Sequence, residues 1–578
     1  MYILGINAYH PDSSACIIKD GELIAAVEEE RFKRIKHWSG FPIDSIRYCL
    51  EEAGISIADV DFIGISRNPY AHLYKKLIYI IKNRKVDSNI INSRLKNFVR
   101  IKNIKNLLID NLPSSKQKIK SKIYFIEHHK THMASSFFVS PFKESAILSL
   151  DAMGDFVSTM FGIGKDNKIK VLDRIFFPNS LGYLYTAGTQ FLGFLKFGDE
   201  YKVMGLSAYG KPVYLNEFRK MLILKKNGKF ALDSRYFNFS SEGLSMSWHN
   251  SEPVCGRLFS KKWIDIFGLP RNSEDSISKR DKDIASSLQM ILEEMYFYIL
   301  NYLYKLTRVD NLCLAGGVAL NCVANGKIFN HTPFKNIYIQ PAANDAGTAL
   351  GAVYYIYHQI LNKKRCFEMK HAYWGPAFND KYIESVLKRY NLKFEKYNIE
   401  EIIKIVAKYI TEGKIVGWFQ GRMEWGPRAL GNRSILADPR KQEIKFILNK
   451  KIKYREEFRP FAPAILLEKI VDFFNINYPE PFMLKTYLVR ENKRSLIPAV
   501  VHIDGTARIQ TVDKDTNLLF WRLLKKFEEL TGIGVLLNTS FNENEPIICN
   551  PEEAIDCFLR TQIDVLVINS YLIKKNYA

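Results

Sequence analysis

The run strand, turn, strand, strand, helix, strand that opens this chain begins again in its second quarter, and few folds can absorb such a repeat. Tyr2 to Asn7, Ala15 to Lys19 and Leu23 to Val27 read as strands, with the turn Asp20-Gly21 between the second and third. A helix over Ile43 to Ala53 and a strand over Phe62 to Ser66 follow. The pattern returns at Ala146 to Leu150, Thr159 to Gly164 and Val171 to Phe177, after which helices and strands continue to about Ile360. An acidic residue stands just after the first strand of each half, Asp12 and Asp151. Two related α/β halves are expected.

The layout is similar to that of the actin-like ATPase superfold, in which nucleotide and substrate lie in the cleft between the halves. At 578 residues with 47% hydrophobic content the chain is long enough for two to four domains with ordinary cores. The hydrophilic stretch Asn362 to Lys370 is the natural joint, which predicts one domain over 1–362 and another over 371–578. No basic leader and no long apolar run is visible, so a cytoplasmic protein with no membrane span is expected. Eight scattered cysteines form no CxxC pair, which speaks against a disulfide framework and a zinc knuckle.

The net charge of +22 is concentrated. Between Lys75 and Lys122, fourteen Lys or Arg stand against Asp87 and Asp110 alone. Leu73, Ile78, Ile81, Ile90, Leu95, Val99, Ile104 and Leu107 are spaced for amphipathic helices with basic polar faces. A solvated face is the favoured reading; a patch for an anionic substrate and an RNA-binding stripe stay open.

The strongest chemical signal is Glu127-His128-His129-Lys130-Thr131-His132. His128 and His132, four apart, leave one face of a helix about one turn from each other, as a shared metal requires. Asp151 follows Glu144 to Leu150, a buried strand, and would sit at its carboxyl end, where α/β sheets expose functional groups. Nitrogen and oxygen donors together suit iron, manganese or zinc better than calcium. Two strand-to-helix turns carry glycines, Ala315-Gly316-Gly317 through Asn321 and Pro341 through Asp345 to Gly347. Paired glycines let a backbone approach a ligand and the helix start behind them offers N–H groups to a phosphate. Asp345 is a further metal ligand or an N-cap.

The last two hundred or so residues change character. Strand Ile415 to Gln420 enters a loop with Arg422, Arg428 and Arg433; Lys453 to Phe461, Asp504 to Arg508 and Leu537 to Asn542 follow. Arginine forks match phosphate oxygens, so these loops predict an oligophosphate or several phosphoryl ligands. No GxxxxGK[ST] loop is present.

Together GINAYHPDSSAC, EEERFKRIKH, EHHKTHMASSFF, LSLDAMGD, DEYKVMGLSAYGKP, LAGGVALNCVANGKI, PAANDAGTALGA, GRMEWGPRALGNRSILADPR, KYREEFRPFAPAIL, HIDGTARIQTV and LNTSFNENEPII resemble the NodU/CmcH-type O-carbamoyltransferase family of antibiotic and nodulation-factor biosynthesis. The resemblance implies an N-terminal actin-like domain (a duplicated ribonuclease-H-like unit) and a C-terminal YrdC-like α/β domain. It implies ATP, with magnesium, and carbamoyl phosphate as co-substrates, carbamoyl-AMP as intermediate, and transfer to a hydroxyl of a small-molecule acceptor. Carried over by motif, His128, His132, Asp151 and Asp345 hold Fe(II) or a similar divalent metal. Lys36, with Gly316, Gly317 and Asn321, meets the adenylate, and Arg428, Lys453, Arg459, Arg508, Asn538 and Asn542 meet ATP and carbamoyl phosphate.

The first loop departs from the family pattern: Tyr9-His10-Pro11-Asp12 stands where relatives have aromatic-His-Asp-Ser. His10 is the first choice for general base, because an imidazole titrates near working pH, and Asp12 the second. The runner-up activity is threonylcarbamoyl transfer to tRNA. An ATP-responsive nucleic-acid-binding protein rests on charge alone, so nucleic acid is the less favoured partner, and a homodimer is left open. The carbamoyl donor for hydrogenase cyanide ligands is a weaker match, because its CxxC pairs are absent here.

Overall fold

A computed structural model describes residues 1–83, 88–112 and 119–575. The chain divides into two compact units, Met1–Met369 and Lys370–Ala578. Of the basic segment, Arg84, Lys85, Asp87, Lys116 and Lys118 lie outside the described residues.

In the first unit, β1 (Tyr2–Asn7), β2 (Ser14–Lys19), β3 (Glu22–Glu28), α1 (Ile43–Glu52), β4 (Phe62–Ile65) and β5 (Lys122–Phe125) build a sheet of order β3-β2-β1-β4-β5. The meander pairs antiparallel, and β4 and β5 add in parallel. After α2 (His128–Phe137), the strands β6 (Glu144–Gly154), β7 (Val157–Lys165), β8 (Lys168–Phe176), β9 (Asn311–Ala315) and β10 (Asn336–Ile339) repeat it as β8-β7-β6-β9-β10. Pairing is again antiparallel in the meander and parallel beyond it. Two sheets of one order, three antiparallel strands and two parallel ones, make a duplicated ribonuclease-H-like unit.

The long helix α3 (Lys279–Thr307) starts at a capping box, Ser278 and Asp281 satisfying each other's backbone N–H groups. α4 (Gly347–Tyr354) lies in backbone contact with α2. A Cβ on Gly351 would fall 1.8 Å from the carbonyl oxygen of Thr131, so only glycine permits this spacing. Of the stretch read as a joint, all but Lys370 belongs to the first unit. Arg365 donates to the carbonyls of Phe138, Ser140 and Phe142, and the Met369 N–H donates to Val139 O at 2.9 Å.

The second unit holds β11 (Glu395–Lys396), α5 (Ile399–Thr411), β12 (Val416–Phe419), β13 (Arg433–Ala437), β14 (Ala462–Leu466), β15 (Gln510–Val512), α6 (Leu518–Thr531), β16 (Val535–Ser540), β17 (Val565–Ile568) and β18 (Tyr571–Lys574). They form a mixed sheet of order β11-β18-β17-β12-β13-β16-β14-β15. Side chains alternate between two cores. Val416, Trp418, Leu436, Leu536 and Val567 pack with α5 and α6, while Phe419, Ile435, Leu537, Leu566 and Ile568 enter a second cluster. No described helix is long and apolar enough to cross a membrane.

Candidate active site

The histidine run sits at the start of α2, immediately after β5 and a short turn. Thr131 Oγ1 bonds back to the carbonyl of His128 at 2.6 Å, and the His128 N–H donates to Asp155 Oδ2 at 2.9 Å. The His128 and His132 rings stand nearly perpendicular, 84° apart, with their Nε2 atoms 3.0 Å from each other. Gly154 makes room for this. A Cβ there would lie 1.9 Å from Cδ2 of His128.

Asp151 and Asp345 close the cluster. Asp345 Oδ1 lies 3.3 Å from both Nε2 atoms, and Asp151 Oδ2 lies 3.8 Å from that of His128. One atom from each of the four side chains falls within 4.8 Å of every other, and all four residues are buried. Asp345 Oδ1 and His132 Nδ1 have no hydrogen-bond partner despite their burial, which normally costs about 1–3 kcal/mol each. Burial alone would depress the His128 imidazole, but Asp345 and Asp151 outweigh it and hold it at about 10. Two imidazoles and two carboxylates aimed at one point fit a divalent cation of the kind that accepts mixed nitrogen and oxygen donors.

The position of Asp151 differs from the sequence reading. β6 does not end at Leu150 but runs to Gly154, and its pairing with β7 shifts register between Leu150 and Gly154. Asp151 occupies that bulge, where the ladder is broken and a side chain can be turned toward α2.

A second polar group adjoins the first. His10 Nδ1 pairs with Asp345 Oδ2, and its ring lies 4.7 Å from that of His128. Asp12 does not face that cluster but pairs with His37, Oδ1 to Nδ1 at 2.7 Å, while the His37 N–H donates to Glu30 Oε2 at 2.8 Å. Burial lowers the His37 value, yet Asp12 and then Glu30 more than compensate and raise it to about 9. Lys36, beside His37, is exposed.

The glycine loop after β9 spends its donors internally. The Gly316 N–H donates to Ala343 O at 2.7 Å and the Gly317 N–H to Asp151 Oδ1 at 2.9 Å. Asn321 caps the next short helix and exchanges hydrogen bonds with Gln289 at 2.9 and 3.1 Å. Close packing, rather than an open cradle for phosphate, is what these glycines allow here. Their loop fixes the second oxygen of Asp151, leaving Oδ2 for the cluster.

In the second unit the arginine loop after β12 splits into two roles. The guanidinium of Arg433 is fully buried 3.6 Å above the Phe419 ring and donates to the carbonyls of Gln420, Gly421, Asn432, Pro376 and Cys549. Arg422 donates to Trp374 O at 2.7 Å and Gly375 O at 3.2 Å. Both hold backbone, contrary to the reading of the whole loop as phosphate-directed. Glu424, which sequence reasoning passed over, braces the same loop by accepting the N–H groups of Leu430, Asn432 and Arg433.

Lys453 is buried and its Nζ donates to Ser540 O and to Asn542 O and Oδ1, the last two at 2.7 and 2.6 Å. Burial, then Arg455 and Arg459, push its ammonium well below the usual lysine range. Asn538 donates to Gln510 Oε1 at 2.8 Å and Ala429 O at 3.3 Å, and its Oδ1 is buried without a hydrogen-bond partner. Arg459 is half-buried, 3.7 Å from Glu456, and Arg508 ends the short strand Thr506–Arg508.

Residues 2–354 match the carbamoyltransferase N-terminus family and residues 407–575 the carbamoyltransferase C-terminus family. The chain belongs to the carbamoyltransferase family. It is similar to an uncharacterized protein of Synechocystis sp., 42% identical over 99% of this chain and 97% of that one. It is similar as well to the nodulation protein NolNO of Sinorhizobium fredii, 37% identical over 99% of this chain and 80% of that protein. HypF of T. kodakarensis aligns with 62% of this chain and 48% of its own, at 12% identity and a TM-score of 0.32.

For this carbamoyltransferase, sequence reasoning missed Glu30, His37 and Gly154. The segment Glu28-Glu29-Glu30 through His37 carried a signal for the first two, acids and bases packed into one short loop. Gly154 carried none, because its role is set by a ring that approaches from another element.

Proposed function

We propose that the chain is an ATP-dependent O-carbamoyltransferase that activates carbamoyl phosphate as carbamoyl-AMP and passes the carbamoyl group to a hydroxyl of a small molecule. Activation falls to the second, YrdC-like unit: water cleaves carbamoyl phosphate to carbamate and phosphate, and a carbamate oxygen then attacks the α-phosphorus of ATP, forming carbamoyl-AMP as pyrophosphate leaves. Transfer falls to the first, in which the acceptor oxygen attacks the carbamoyl carbon, its proton goes to a base and the bond to AMP breaks.

The observation that carries this reading is the buried, unsatisfied Asp345 Oδ1 facing two imidazoles inside a carbamoyltransferase N-terminal unit. His128, His132, Asp151 and Asp345 would hold iron(II) or a similar divalent ion, which supplies Lewis-acid polarisation of a bound oxygen. His10 is the base we favour. Its Nδ1 is fixed on Asp345, which orients the ring and leaves Nε2 to take a proton, whereas Asp12 is committed to His37. Lys36 contacts the adenylate, with Gly316, Gly317 and Asn321 shaping the loop beside it. In the second unit Arg428, Arg459 and Arg508 neutralise phosphates of ATP, with its magnesium, and carbamoyl phosphate, and Lys453, Asn538 and Asn542 shape the floor of that site. The acceptor is a sugar, polyketide or comparable hydroxyl compound.

Replacing His132 tests the division of labour. His132→Ala should abolish metal retention and carbamoyl transfer, while pyrophosphate release from ATP that depends on carbamoyl phosphate persists. Elemental analysis and a pyrophosphate assay on the same folded sample decide it. Retained metal, or loss of both activities together, counts against the proposal.

A further inference from the structure

The helix Leu73–Lys82 carries its apolar residues on the wrong side for a helix that packs on a core. None of its ten residues is buried. Leu73, Tyr74, Leu77, Ile78 and Ile81, which recur at helical spacing and so share one broad face, are 47%, 59%, 59%, 44% and 72% exposed. The opposite side holds the helix to the body through Tyr79. Its hydroxyl donates to Phe239 O at 2.8 Å and its ring packs 5.2 Å from Phe177 and 5.7 Å from Phe156. Ordinary amphipathic helices do the reverse, burying the apolar stripe. The helix Ser88–Lys102 also exposes Leu95 and Val99, one turn apart and each more than half exposed, and its Phe98 ring lies 5.3 Å from that of Tyr70, in the turn ahead of the first helix.

The charges around this face have one sign. Among the described residues Lys75, Lys82, Lys96 and Lys102 have no carboxylate at ion-pair distance, and no acidic residue occurs in either described helix. An outward apolar face flanked by uncompensated lysines matches a surface that is apolar within and anionic at its boundary. A second copy meets this description poorly. A two-fold contact would set the same face against itself and bring the lysines of one copy toward those of the other.

The geometry points to a docking surface for an anionic lipid bilayer, formed by helix Leu73–Lys82. The apolar side chains enter the headgroup boundary while Lys75 and Lys82 of the same helix meet the anionic headgroups. This inference stands apart from the transfer chemistry, since none of these residues belongs to the site described above.

Co-sedimentation of the full chain with vesicles of equal parts phosphatidylcholine and phosphatidylglycerol, and with phosphatidylcholine alone, tests it. The protein should sediment with the anionic vesicles only and be released by salt. Leu77→Glu with Ile81→Glu should abolish binding, and Lys75→Ala or Lys82→Ala should each weaken it about fivefold. The positions are exposed, so circular dichroism should be unchanged. Failure to bind anionic vesicles at low salt, or binding that ignores headgroup charge, overturns the proposal. So does a dimer in gel filtration that Leu77→Glu with Ile81→Glu converts to monomer, which would assign the face to a second copy.

Discussion

The histidine cluster of the first unit and the arginine loop of the second both stand out in the sequence, and they use their charge in opposite ways. His128, His132, Asp151 and Asp345 converge on a point that leaves Asp345 Oδ1 without a hydrogen-bond partner in a buried place. Arg433 and Arg422 instead direct their guanidinium groups at backbone carbonyls of their own unit. The difference shows that equal richness in charge can build a convergent, buried cluster in one unit and brace backbone in the other.

The hardest way to break this comparison is at Arg433. If it serves the fold, Arg433→Ala leaves several buried carbonyls without donors and a void beneath Phe419, and should cost about 3–5 kcal/mol of stability in the second unit. Arg433→Lys should not rescue, because one ammonium cannot reproduce a planar fork directed at several oxygens. Urea unfolding measures both. A stable variant with a raised KM for ATP would move Arg433 back among the ligand-directed residues.

Arg459 is the counterpart expected to act on phosphate. Arg459→Ala should remove roughly 2–4 kcal/mol of transition-state stabilisation from adenylate formation, as loss of one preorganised charge commonly does. Transfer from supplied carbamoyl-AMP should run near the wild-type rate. Rates measured side by side with ATP plus carbamoyl phosphate and with preformed carbamoyl-AMP decide the matter, and an equal loss in both would erase the distinction between the units' tasks.

Gly154 sharpens the other side. A methyl group at Gly154 overlaps the His128 ring, so Gly154→Ala must turn that imidazole away from Asp151 and Asp345. Metal affinity should drop about 10- to 100-fold, the scale found when a ligand loses its orientation. Titration of the metal-stripped protein with cobalt(II), followed by its visible absorption, gives the number. Unchanged affinity would mean that the ligand set does not depend on the ring position described here.

Much of this arrangement was readable in advance where the period of the sequence equals the period of the structure. The duplicated meander was visible because alternating strands and Asp20-Gly21 are local signals, and the two sheets confirm it with one shared strand order. The pairing of His128 with His132 was visible for the same reason, a helical spacing of four. The bulge at Asp151 was not, because it arises from a register shift against β7 that no local pattern records. Nor was the fate of the Gly316-Gly317 donors, which depends on Ala343 arriving from the turn after β10 and Asp151 from β6. The same limit hid the exposed face of Leu73–Lys82. Spacing identifies an apolar stripe but not the side on which the body lies, and Tyr79 decides that.

The smallest effect concerns His37, whose charge serves neither cluster. Asp12 and Glu30 hold its imidazole at about 9, above the 6.5 of an unperturbed histidine. A proton bound more tightly in the folded state stabilises that state fully below about pH 6.5, and the contribution fades as pH climbs through about 9. His37→Gln keeps a donor for Asp12 but removes the charge, so its melting temperature should lie below that of the wild type at pH 6 and approach it by pH 10. Because the His37 side chain is 28% exposed, solvent screens the pair and the gap should be modest. Melting curves of both proteins across this range measure the gap directly. A difference independent of pH would mean that His37 is held as a neutral hydrogen-bonding ring, and its contact with Asp12 would then be structural in the same sense as Arg433.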